Sequence, residues 1–88
     1  MNEITNRFEQ LIESRSWKIA KQELATLEPF QIAEIIGALS KPDRILLFRL
    51  LSRESAKETF KHLWYDEQEE IIEGLAANVD NVIGLLND

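Results

Sequence analysis

Within five residues, Asp66-Glu67-Gln68-Glu69-Glu70, the chain places four carboxylates. Oxygen ligands at that density suit a hard divalent cation, so weak divalent binding is one chemistry open to this stretch. A structural account competes with it. If Asp66 caps a helix, the other acids fall in its first turn, where the helix dipole favours negative charge. His62 is the sole histidine and cysteine is absent. A zinc-type ligand set is therefore not expected, and His62 reads as a surface or half-buried residue. Trp17 and Trp64 fit either a partner surface, where aromatic rings are enriched, or core and capping positions. No histidine-based triad can be assembled, and Gly37, Gly74 and Gly84 stand isolated rather than in a phosphate-cradling loop. An enzyme is not expected.

Charge is unevenly spread along the 88 residues, whose formal net charge is −6. Residues 40–62 carry six Lys/Arg and three Asp/Glu; residues 63–88 carry seven Asp/Glu and no Lys/Arg. The net charge of −6 speaks against nucleic acid as a general partner, and a solvated surface accounts for most of the asymmetry between a basic middle and an acidic end. The apolar share of 44% and charged share of 30% are those of a soluble globular chain of one domain. The longest apolar run is Ile45-Leu46-Leu47-Phe48, far short of the roughly 20 residues of a membrane span. The polar N-terminus is not expected to be a signal peptide, and the lack of cysteine suits a cytosolic compartment.

The elements that must position these residues follow from a repeat. Leucines stand at 27, 39, 51, 63 and 75, and Ile36, Phe48, Phe60 and Ile72 precede the last four by three places. A twelve-residue period fits one helix of about ten residues plus a short turn, each unit ending in an i, i+3 apolar anchor. Turn signals agree: Glu28-Pro29 places proline in a first helical turn, and Ser40 with Asp43, Ser52 with Ser55 and Asp66 with Glu69 read as N-caps. Asn78 reads as the cap of a last segment. With residues 2–13 and 17–26 read as helices broken around Glu13-Ser14-Arg15-Ser16, the chain has seven helices and no strand. Ile45 to Leu51 is apolar nearly all round except Arg49, so this helix is expected to be the most enclosed, with Phe48 in the core. Helices 29–39 and 66–76 flank it, burying Ile32, Ile35, Ile36 and Leu39 on one side and Ile71, Ile72 and Leu75 on the other. Val79, Val82, Ile83 and Leu86 form a stripe on the last helix, expected to pack inward with a partly exposed rim. The fold class is all-α, a compact right-handed superhelix of about seven short helices.

Residues 17–88 resemble the cytosolic N-terminal domain of MgtE-type magnesium transporters. The likeness is carried by Pro29, Ile32-Ala33-Glu34, Leu39, Asp43-Arg44, Leu47-Phe48-Arg49-Leu50-Leu51, Ala56, Glu58, Phe60, Leu63, Gln68 and Leu75. Gln31 and Lys57 depart from the family pattern, which has Asp and Ala there. The resemblance implies that residues 1–88 are an intracellular helical domain of a longer membrane protein, itself a homodimer. It implies a regulatory sensor on the cytoplasmic side of the cell membrane that packs on CBS domains of the same chain. Magnesium ions bridge that contact and favour the closed pore. Glu58 aligns with a family carboxylate near those ions, although a helix pair with Lys57 or Lys61 also accounts for it. Magnesium is thus the expected cofactor, held weakly and shared with the partner domain; neither nucleic acid nor direct membrane insertion is expected. The family usually has a further acidic helix beyond Asp88, so some ion-bridging positions are expected to be missing here. The middle segments of flagellar motor-switch proteins are similar in style, and imply an alternative: a helical protein-interaction scaffold with no ion role.

Overall fold

A computed structural model describes the backbone of residues 3–87 and the side chains of residues 3–77. Six α-helices follow in series: α1 Glu3–Glu13, α2 Trp17–Leu24, α3 Pro29–Ala38, α4 Lys41–Arg49, α5 Arg53–Lys61 and α6 Tyr65–Asn87. No strand occurs among the described residues. Helices α2 to α6 begin at 17, 29, 41, 53 and 65, twelve residues apart each time. The expected seventh helix is absent as a separate element, because α6 runs unbroken for 23 residues. Leu75-Ala76-Ala77 leads into Asn78, and one asparagine costs only about 0.7 kcal/mol in a helix interior, too little to stop it. The stripe Val79, Val82, Ile83, Leu86 lies outside the described side chains.

Local chemistry explains most of the stops and starts. Helix α1 ends with Arg15 at φ 56°, while Ser16 N–H donates to Leu11 O at 2.8 Å and Arg15 N–H to Ile12 O at 3.0 Å. That is a Schellman termination with arginine in the left-handed position usually given to glycine. Pro29 opens α3, and Gln31 Oε1 accepts from Glu28 N–H at 2.8 Å, so Gln31 serves as the returning half of a cap. Ser52 Oγ accepts from Ser55 N–H at 3.1 Å, as its type and position require. Ser40 precedes α4 in an extended conformation, but its hydroxyl makes no capping bond. At α6 the cap differs from expectation. The helix starts at Tyr65, and Glu67 Oε1 reaches back to accept from Trp64 N–H at 2.9 Å, displacing the Asp66–Glu69 pair from that role.

The most enclosed helix is α3, not α4. Ile32, Ala33, Ile35 and Ile36 are all buried on α3, whereas α4 buries only Leu47 and Phe48. Helix α3 lies among α1, α4 and α5. Helix α4 touches α1, α3 and α6, but toward α2 it leaves an open cleft lined by Trp17, Lys21, Leu46, Arg49 and Leu50. Its all-round apolar composition is therefore only half used. Phe48 is buried as expected, and its ring meets Phe60 edge-on at 6.3 Å, joining two anchors of the twelve-residue repeat. Ile71 is fully buried, but Ile72, expected beside it, is 57% exposed. Helices α1 and α2 are not accessories: Phe8, Leu11, Ile12, Ala20 and Leu24 belong to the same buried cluster as the α3 and α4 residues. Gly74 lets α6 approach α4 closely, since a Cβ there would stand 2.2 Å from Ile45 Cδ1.

Candidate functional site

The acidic residues divide into those that hold the fold together and those that face outward. Glu70 on α6 pairs with Arg44 on α4, and Lys41 Nζ lies 3.7 Å from its other oxygen. Arg44 also donates from Nε to Leu39 O at 2.9 Å and from Nη2 to Gly37 O at 2.8 Å. One guanidinium thus satisfies carbonyls that the end of α3 leaves without helical partners and ties α3 and α4 to α6. Gln68 does the same for α5, donating from Nε2 to Phe60 O at 2.8 Å. In the sequence both residues were only letters of a motif.

Asp66, Glu69 and Glu73 are exposed and have no ion-pair partner among the described residues. At spacings of three and four they share one face of α6. Glu58 lies on α5, and Lys61 Nζ stands 3.2 Å from its Oε2 on the same helix. The expected helix pair is therefore present, with both side chains about half exposed. Among the described residues no group of three or more His, Cys, Asp or Glu side chains is arranged to hold a metal ion. His62 is exposed at the end of α5. Trp17 is half-buried against the core, while Trp64 is 77% exposed. The two tryptophans therefore have opposite roles.

A groove runs between α3 and the turn joining α5 to α6. Along α3 it is lined by Ala33, Gly37 and Ala38, small residues at helical spacing. Phe30 and Glu34 continue the same α3 face, and His62, Trp64 and Glu67 form the opposite wall. Glu67 is 8% exposed, and its Oε2 sits over Gly37, only 2.7 Å from where a Cβ would stand. Gly37 is thus the position that admits this carboxylate. No reading of the acidic cluster alone points to the groove. The available signal is the i, i+3, i+4, i+7, i+8 series from Phe30 to Ala38, in which exposed and small residues alternate with the buried isoleucines.

These features define an all-helical domain with an open groove among its described residues. A family model described as the MgtE intracellular N domain matches residues 27–86, and the chain belongs to that family, the cytosolic N-terminal domain of MgtE-type magnesium transporters. A comparison with curated proteins gives no match. Helices α1 and α2 precede the matched segment, yet they supply part of its core. No described helix is long and apolar enough to cross a membrane.

Proposed function

We propose that this domain is the regulatory part of a magnesium transporter or channel. It senses intracellular magnesium by packing, through bridging ions, onto CBS domains of the same chain, and in that state it stabilises the closed pore. The parent protein is a homodimer, and the domain works on the cytoplasmic side of its membrane. The observation that carries this reading is the family match over residues 27–86. The carboxylates are consistent with it. Magnesium keeps several of its waters and takes few direct protein ligands. The outward acids Asp66, Glu69 and Glu73, with Glu58 released from Lys61, fit one side of a shared site rather than a complete one. An ion between two acidic faces offsets their repulsion, and its loss lets the faces separate.

The test has two arms. The 88-residue chain alone should bind magnesium only in the millimolar range or weaker, about −4 kcal/mol, with no change in fold. In the whole transporter, Glu58→Gln should shift closure to higher magnesium without unfolding the domain. Micromolar, saturable NMR shifts centred on one cluster of the isolated chain would show a self-contained site and overturn the shared one.

A further inference from the structure

We propose that the groove between α3 and the α5–α6 turn is a docking site for an arginine side chain carried by a protein partner. This does not rest on the magnesium reading, since it uses a different set of groups. The first observation is the unpaired half of a buried carboxylate. Glu67 is more than nine-tenths buried, and Trp64 N–H occupies Oε1. Its Oε2 lines the groove with no hydrogen-bond donor among the described residues. This oxygen is reached by water only from the groove side, and a cationic donor is the strongest replacement for that water.

The second observation is what surrounds that oxygen. Phe30 is 52% and Trp64 is 77% exposed, and both line the groove. Aromatic faces beside a carboxylate suit a cation, and a planar guanidinium can stack on a ring while donating in-plane to oxygen. Glu34 adds a second carboxylate at the rim, and no Lys or Arg lines the groove to compete. The missing Cβ at Gly37 lets Glu67 Oε2 lie against α3 within the groove lining. A hard metal ion is the poorer occupant, because it gains nothing from the rings and the groups here fall short of a ligand set. An acidic partner is disfavoured, since two carboxylates face the groove against the single imidazole of His62.

The test follows the Trp64 indole and Gly37 amide signals of the 88-residue chain by NMR. The probe is the capped tripeptide Ac-Ala-Arg-Ala-amide, and the control is its citrulline counterpart, neutral and of the same shape. The arginine peptide should give saturable shifts at both signals and bind about tenfold tighter than the citrulline peptide, as loss of a charge-assisted contact implies. Glu67→Gln keeps an oxygen for Trp64 N–H, so α6 should start as before, but the preference for arginine should disappear. Trp64→Leu should weaken both peptides. Equal binding of the two peptides, no saturable shift, or a preference that survives Glu67→Gln would overturn the proposal. So would the same saturable shifts produced by magnesium chloride alone.

Discussion

Helices α3 and α6 carry the same signal at the same place in the repeat, and the fold treats them differently. Ile36 and Leu39 close the α3 unit, and both are buried; Ile72 and Leu75 occupy the matching positions on α6, where Leu75 is half-buried and Ile72 faces solvent. The side chains are of the same kind. What differs is the packing among the described residues: α3 has α1, α4 and α5 around it, whereas α6 rests chiefly on α4. A helix between layers uses both sides of its anchor, and a helix at the margin uses one. Burial is thus a property of position in the stack, and an apolar repeat alone does not report it.

The comparison is broken most directly at those two isoleucines. Ile36→Ala should cost about 3–4 kcal/mol through lost burial and a cavity, and Ile72→Ala less than about 1 kcal/mol. Urea melts of the two variants measure the contrast, and equal midpoints would refute it. A smaller effect is expected where the two regions are tied together. Arg44→Met removes the bonds to Gly37 O and Leu39 O and leaves Glu70 with only the distant Lys41, for about 2–4 kcal/mol. Arg44→Lys should recover only part of this, since an ammonium cannot fork to carbonyls and carboxylate together. A thermal melt of Arg44→Met indistinguishable from the parent would mean that α6 is held by apolar packing alone.

The smallest effect lies at the opposite margin, where Arg7 on α1 pairs with Glu23 on α2 through two of its nitrogens. The hydrogen bond from Arg7 holds the Glu23 carboxyl below its ordinary value of 4.5. The folded state therefore binds that proton less readily than the unfolded chain. Stability from the pair is complete above the ordinary value and is lost as pH falls below it. Glu23→Gln should lower stability slightly near neutrality, where the pair is intact, and converge with the parent well below pH 4.5, so that the acid limb is flatter. An acid limb identical to the parent's would show that the pair contributes nothing at this exposed edge.

Much of the fold was legible because its punctuation is local. Pro29 sets a helix start through its fixed φ and Ser52 through a bond three residues on, and the leucines at 39 and 63 are buried where the twelve-residue phase places them. The ranking of α3 and α4 was not legible, since composition reports how apolar a helix is and says nothing about who surrounds it. Capping at α6 was misplaced for a different reason. Asp66 is the better cap by residue type, but Glu67 can serve Trp64 from three residues on, and its burial against Gly37 favours that arrangement. Of the acidic cluster, Glu67 and Glu70 are taken up by the fold, which no count of charges reveals. The groove was beyond reach of the sequence because it joins residues 30–38 to residues 62–67, two stretches that only the packing of α3 on α5 brings together.

The connections between successive helices span only two to four residues. Such links leave little chain to close, so each helix meets its neighbour at small entropic cost. Contacts of low sequence separation favour folding in microseconds to milliseconds, the range of small helical proteins. Helix α1, which must find α3 and α4 across the intervening chain, is then the slowest to gain its partners. On this topology, the search of α1 along the chain is expected to pace assembly.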